Sequence, residues 1–279
     1  MKALSWIAGL IFLGIPAAFA AFWAYGHVYK WLHTYAYNMR VTVEIETPQG
    51  PRVASSVIGY TTWFVPQVAI FTDQGRSVKG EAVVIDLPVG PDGATRHFIA
   101  LLAGGPAGQN SDLFSDMPRR LIAWPRHTDS SSREGRERVE ADLANARDRL
   151  ELPTAHHPTM VTFKDLADPA SAVVVYATGR DVRLVPASPG ASTSSYKDFG
   201  PLVIDRFAET FGPGYALKRV TIEMTSDPVT RGIEGKVTGL RDIAAWNKKV
   251  SAWADRTRPH PAAASSIPAV GSGNFIRDF

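Results

Sequence analysis

The residues of this chain able to do chemistry fall into five groups. His156-His157, just ahead of Pro158, has Asp142, Asp165 and Asp168 within reach in sequence, a composition suited to acid/base work or metal binding. Adjacent histidines on an extended segment point to opposite sides, so they do not share one ion, and the His-Glu-x-x-His spacing of a zinc helix is absent. Ser55, Ser56 and Ser77 are possible nucleophiles, with His97 as base and Asp86 as its orienter. The strained Gly-x-Ser-x-Gly turn that would expose such a serine is missing. Serines flanking a strand also satisfy backbone groups at an edge or cap a turn. Gly104-Gly105-Pro106-Ala107-Gly108 resembles a phosphate-cradling loop. It lacks the Gly-Lys-Ser/Thr ending and its proline removes a donor, so it reads as a hinge between two halves.

The other two groups are interaction candidates. In Asp227-Pro228-Val229-Thr230-Arg231-Gly232 the aspartate before proline closes a turn, Thr230 caps, and Arg231 pairs with Glu234 or with a carboxylate on a ligand. Asp227, Thr230 and Arg231 are therefore candidate ligand contacts beside a purely structural turn. Near the C-terminus, Trp246 and Trp253 share one helical stripe with Ile243 and Val250, bordered by Arg241, Lys248, Lys249 and Arg256. That composition suits a helix lying on a membrane or partner, with Trp246, Trp253, Lys248 and Lys249 in contact, and equally a helix docking its tryptophans on a sheet. No set of residues identifies a reaction, a metal or a cofactor, so the catalytic residues are not named by the sequence.

The elements that position these groups are mostly strands. Val41 to Thr47 alternates apolar and polar residues and meets Pro48-Gln49-Gly50-Pro51, a strand running into a turn, with Arg52 to Tyr60 returning. Val68 to Phe71, Ser77 to Leu87 and Thr95 to Leu102 follow as strands, separated by connections short enough for hairpins. Residues 112–124 fit no single pattern. From Ser132, a plausible N-cap, a helix is expected to Leu150, with Val139, Leu143, Ala146 and Leu150 on one face. Arg133 with Glu137, Glu134 with Arg138 and Arg136 with Glu140 stand at i,i+4 on its other face. Thr159 to Phe163, Ala172 to Ala177, Val182 to Val185 and Ala216 to Met224 read as strands, Leu202 to Phe211 and Leu240 to Ala254 as helices. The expected fold is α+β: an antiparallel β-rich body with two or three peripheral helices, plus one N-terminal transmembrane helix.

That helix is the strongest signal of place. No charged side chain occurs from Ala3 to Tyr25, and Leu4 to Tyr25 as a helix would reach roughly 33 Å, enough to cross a hydrocarbon core. Read as a secretory signal, Ala18-Phe19-Ala20 is a cleavage site. The apolar character continues past it through Phe22, Trp23, Tyr25, Tyr29, Trp31, Tyr35 and Tyr37, an aromatic collar with Lys30 and Arg40 placed to snorkel, which favours an uncleaved anchor. Residues 1–37 are thus the anchor and collar, 38–256 the α+β domain with a sub-boundary near 104–132, and 257–279 a Pro/Ala/Ser/Gly-rich disordered tail with a sticky tip. Positive charge is balanced across the span and leaves orientation open. The export-like start favours a single pass in the bacterial inner membrane with a periplasmic domain. The chain's 279 residues carry a net charge of +3 with basic and acidic residues interspersed, which argues against a nucleic-acid partner. The absence of cysteine discriminates weakly between compartments.

Four patches carry a resemblance: Arg40 to Pro48 with Gly50, Ser55-Ser56-Val57-Ile58, Lys79-Gly80-Glu81-Ala82-Val83, and Thr225 to Glu234. Met160-Val161-Thr162-Phe163, with Asp165 and Asp168-Pro169, adds to them. With these the chain resembles an uncharacterised group of proteobacterial proteins that have one N-terminal anchor and a domain of unknown function. Beyond Glu234 it departs from that group, carrying a Trp-bearing basic helix where a Pro-Trp-rich stretch is usual. The resemblance implies an anchored domain and supplies no catalytic residue. The expected function is a non-enzymatic binding or scaffold subunit of the cell envelope, held to the lipid bilayer and meeting an envelope protein partner. The alternative is a membrane-anchored hydrolase whose site assembles from distant His and Asp residues.

Overall fold

A computed structural model of the chain describes residues 17–18, 20–66, 73–89, 94–105, 113–127, 129–186, 194–257 and 270–278. A helix over residues 20–32 (α1) leads into the first hairpin, β1 (Thr34–Glu46) and β2 (Arg52–Phe64). Both strands are longer than the sequence pattern suggested. In β1 every second residue from Tyr37 to Ile45 is an apolar side chain no more than 6% exposed, the period of a strand with one face inward. The turn is closed by Gly50 N–H donating to the Thr47 carbonyl at 2.9 Å, while the Thr47 hydroxyl donates to the Gly50 carbonyl at 2.6 Å.

Two antiparallel sheets follow from the pairing. With β3 (Gln74–Glu81), β6 (Arg149–Glu151), β10 (Ala216–Thr225) and β11 (Ile276–Asp278), the hairpin forms a six-stranded sheet in the order β11-β3-β2-β1-β10-β6. The second sheet has the order β4-β5-β7-β8-β9, from β4 (Val83–Val89), β5 (Ala94–Ala100), β7 (Met160–Phe163), β8 (Ala172–Pro186) and β9 (Ser194–Asp205). One continuous core joins them, with Met39, Val41 and Tyr60 from the first and Ile85, Leu87 and Phe98 from the second. The α+β class is as the sequence indicated.

Five sequence-predicted elements are corrected. The single strand Ser77 to Leu87 is two strands in different sheets, because the buried positions slip from even (Val78) to odd (Val83, Ile85, Leu87) at Ala82. The helix begun at Ser132 ends at Asn145 as α3 (Arg133–Asn145), and Leu150 sits in β6, where the free edge of β10 offers its backbone a ladder opposite Ile222. Ala172 to Ala177 and Val182 to Val185 are one strand, β8, with an irregularity between Arg180 and Val182. The helix predicted from Leu202 is a strand as far as Asp205, paired to β8, and only α4 (Phe207–Phe211) is helical. Pro201 is tolerated because β9 lies at the edge of its sheet.

The tail is the fifth correction. Residues 258–269 lie outside the described residues, but the tip is not free: Phe275 is fully buried and β11 pairs with β3, Ile276 opposite Glu81. The reason is an unpaired β3 edge beside an aromatic pocket. Ala82 N–H donates to the Phe275 carbonyl at 2.8 Å, and the Phe275 ring packs against Trp246 and Phe163.

The remaining helices cover the body. α2 (Leu113–Pro118) continues through a π-helical turn (Arg119–Ala123) and a 3-10 turn (Trp124–Arg126), resolving the ambiguous stretch. α3 packs Val139 and Leu143 inward, and the Ser132 hydroxyl accepts from Gly135 N–H as its N-cap. Of the three expected ion pairs along it, Arg133 with Glu137 forms. Arg136 turns to Asp73, Arg119 takes Glu140, and Arg138 donates to the Glu134 carbonyl. α5 (Ile243–Thr257) closes the fold. Among the described residues no helix is long and apolar enough to cross a membrane, and residues 1–16, the greater part of the expected span, lie outside them. The strand expected at Val68 to Phe71 also lies outside.

Candidate functional site

The Thr225 to Glu234 patch is a strap that leaves β10 and crosses both sheets. Asp227 starts it: its N–H donates to the Thr225 hydroxyl, its carbonyl accepts from Asn38 at 2.7 Å, and its carboxylate takes the Arg40 guanidinium. Arg40, expected to snorkel toward lipid, is instead shared between Asp227 and Glu223, because it lies mid-strand opposite Glu223. Thr230 then makes a two-point bridge to β2, its hydroxyl accepting from Val57 N–H at 2.8 Å and its own N–H donating to the Val57 carbonyl at 3.1 Å. Gly59 is glycine because a Cβ there would stand 2.6 Å from the Val229 side chain. Gly232 turns the chain at φ 107°, and beyond it the N–H groups of Gly232 and Ile233 donate to the two oxygens of Glu81 at 2.8 and 2.9 Å. The strap ends on the second sheet, where Lys236 reaches Asp86 at 3.1 Å and Val237 and Leu240 enter the core.

All four patches of the sequence resemblance therefore meet at this strap: Arg40 from β1, Val57 from β2, Glu81 from β3 and the strap itself. Spacing could not show this convergence. Glu81 and Lys236, which hold the strap's second half, were not singled out. The available signal was the Lys79-Gly80-Glu81 patch, a carboxylate at the end of a strand.

Electrostatics differ at the two carboxylates. Burial pushes the Glu81 carboxyl above the usual range, and the two backbone N–H donors pull it only part of the way back. Burial also acts on Asp86 in that direction, but hydrogen bonds from His97 and Lys236 outweigh it and hold the carboxyl below its ordinary value.

Beside the strap lies an open cleft of about 190 Å³, lined by Lys79, Gly80, Glu81, Val229, Thr230, Arg231, Glu234 and Ile276. Arg231 is exposed there and has no hydrogen bond or ion pair among the described residues. The Arg231 to Glu234 pair expected from the sequence is not formed. A guanidinium so placed recognises a carboxylate or similar planar anion. Asp227 and Thr230, by contrast, spend their polar groups inside the fold.

The other candidates separate. Asp86 and His97 face each other across β4 and β5, with Oδ1 and Nδ1 2.7 Å apart, so the proposed base and orienter do meet. His97 borders a wider cleft of about 560 Å³ with Arg96, Lys164 and Asp165. No hydroxyl is hydrogen-bonded to the His97 ring among the described residues; the Thr162 hydroxyl donates to its backbone carbonyl at 2.8 Å. The Ser56 hydroxyl donates to the Glu81 carbonyl, and Ser55 and Ser77 sit on β2 and β3 of the other sheet. His157 is buried between Tyr176, 3.1 Å from Nδ1, and the Leu152 carbonyl, 3.0 Å from Nε2. Burial lowers its pKa. Asp165 and Asp168 cap turns through Ala167 and Ala170 N–H, and Asp142 faces Arg126 and His127, so the histidine pair and these acids form no common site. Among the described residues no group of three metal-ligating side chains occurs.

In α5, Trp246 is 1% exposed and its indole N–H donates to the Val270 carbonyl at 3.0 Å, which removes it from any membrane or partner surface. Trp253 is half-buried, Lys248 is exposed, and Lys249 donates to the Ala167 carbonyl. At the glycine stretch, Gly104 packs on Leu113 and the Gly105 carbonyl accepts from Thr159, while residues 106–112 lie outside the described set. Comparison of the chain with protein-family models, with curated proteins and with solved structures finds no match in any of the three.

Proposed function

We propose that this chain is a membrane-anchored, extracytoplasmic binding or scaffold subunit of the cell envelope, tethered to the inner membrane by its N-terminal helix and meeting a protein partner's carboxylate at Arg231. The observation that carries the reading is Arg231 itself, a guanidinium left open on a strap whose neighbouring residues are fixed to β1, β2, β3 and β4. The backbone on either side of Arg231 is fixed, so recognition beside the open cleft needs no ordering of the loop and orders only the guanidinium side chain. The uncharged run from Ala3 to Tyr25 and the aromatic residues after it support the tether.

The test is co-purification from gently solubilised membranes with the full chain. A partner retained by the native protein and lost by Arg231→Glu supports the reading; an unchanged set of partners overturns it. Orientation is tested by a membrane-impermeant maleimide on Gln49→Cys, in a chain with no other cysteine, where labelling of intact spheroplasts is expected.

A second reading, a membrane-anchored hydrolase, is favoured by the Asp86–His97 contact. A carboxylate on Nδ1 leaves Nε2 to act on a water in the adjoining cleft. Ester hydrolysis by the purified chain, abolished by His97→Ala, would support it over the scaffold.

A further inference from the structure

α1 enters β1 with His33 alone between them. No spacer separates helix from sheet, and the last helical turn is clasped from three sides. The His33 carbonyl accepts from Phe64 N–H at 3.0 Å at the end of β2, its ring meets Glu137 of α3 at 3.0 Å, and Thr34 of β1 donates to the Lys30 carbonyl. Aromatic contacts reinforce the joint: Tyr29 stacks on His33 at 4.1 Å, Arg133 lies over Tyr29 at 4.8 Å, and the Lys30 ammonium lies over Trp63 at 4.4 Å. Just before and within this turn the helix shows the opposite character. Phe22, Trp23, Tyr25, Val28, Trp31 and Leu32 are each more than half exposed, Trp31 at 76%.

We infer that this joint is stiff and that the lipid headgroup layer covers the ring around it, so that the domain stands on the bilayer in one pose with the N-terminal turn of α3 and the open end of the β1–β2 hairpin against the membrane. The inference rests on the anchored reading above. Three features commit the exposed ring to lipid. It continues directly from an uncharged run long enough to span, its exposed residues are aromatic and aliphatic around a lysine, and amphipathic rings with a cation are the chemistry that settles at headgroup depth. A hinge, by contrast, would need a stretch of backbone with few partners, and residues 29–34 have hydrogen bonds or ring contacts to one another and to two other elements, β2 and α3. The pose sends the Thr47–Pro51 turn to the far end of β1, roughly 40 Å along the strand from Thr34 at about 3.3 Å per residue.

The test uses the full chain in lipid nanodiscs, with single cysteines made unambiguous by the absence of native ones. Bimane at Phe22→Cys and at Glu134→Cys is exposed to lipids bearing a headgroup nitroxide, and a spin-label pair at Phe22→Cys and Gln49→Cys reports the distance between anchor and far turn. Loss of fluorescence at both sites with a single narrow distance population supports the inference. Loss at Phe22 with a broad distance population, or with full fluorescence at Glu134, overturns the fixed pose and leaves the anchor standing. Full fluorescence at Phe22 removes the anchor and the pose together. Replacing His33 and Arg133 together by Ala is expected to broaden the distance population while Phe22 stays quenched.

Discussion

Glu81 and Asp86 lie five residues apart on consecutive strands, and both hold the second half of the same strap, yet they do so by opposite means. Glu81 is 6% exposed and accepts two backbone N–H groups, whereas Asp86 is shared between two side chains at the surface. The difference teaches where the strap is fixed and where it is adjustable. A buried acceptor cannot be removed without stranding its donors, while water can replace a surface ion pair at little cost. The open cation, Arg231, stands just ahead of the immovable point.

The comparison breaks most decisively at Glu81. Glu81→Ala leaves the Gly232 and Ile233 N–H groups without their acceptor and is expected to cost about 2–4 kcal/mol, read as a lower urea midpoint with unchanged slope. A loss no larger than that of Asp86→Ala would abolish the distinction. Next comes Gly232→Ala, where a Cβ at φ 107° is expected to cost about 1–2 kcal/mol although nothing crowds the position.

Acid titration sharpens the contrast through its sign. Glu81 holds its proton more tightly in the folded state, so its contribution is fully present below the ordinary carboxylate value and is lost as pH rises through its raised one. Asp86 is the reverse: its contribution is present above the ordinary value and is lost as pH falls through its depressed one. Urea midpoints followed between about pH 3 and about pH 7 should therefore shift in opposite directions for Glu81→Gln and Asp86→Asn relative to the native chain. Lys236→Ala, which removes only an exposed pair, is expected to cost under about 1 kcal/mol. The smallest effect belongs to Arg231→Ala, within about 0.5 kcal/mol in stability, with its consequence confined to partner retention.

Much of the architecture was legible in local pattern. The alternation from Val41 to Ile45, the proline-bounded turn after Thr47 and the Ser132 cap each follow from rules that act within a few residues. What escaped was decided by distant backbone. Leu150 fits a helical face, yet the open edge of β10 claims it, and Leu202-Val203-Ile204 is an apolar run whose state is set by the edge of β8. The site was legible in part for the same reason. The polar strap stood out as a motif, but Asp227 and Thr230 were partnered by Arg40 and Val57 from far away in sequence, and only Arg231 kept its charge unspent. His97 and Asp86 meet because β4 and β5 are a simple hairpin, whereas His157 was taken by Tyr176 and the Leu152 carbonyl.

Consider finally what it means that β3 finds its outer neighbour in β11. During synthesis the ribosome must proceed roughly 200 residues past Glu81 before Ile276 exists to pair with it, so the first sheet is finished last. Throughout that interval one flank of the nascent sheet and the cavity awaiting Phe275 stand open to any extended polypeptide nearby. Residues 275–278 thus serve as a late seal, made long after the strand they cover, and their removal is expected to turn a well-behaved protein into an aggregating one.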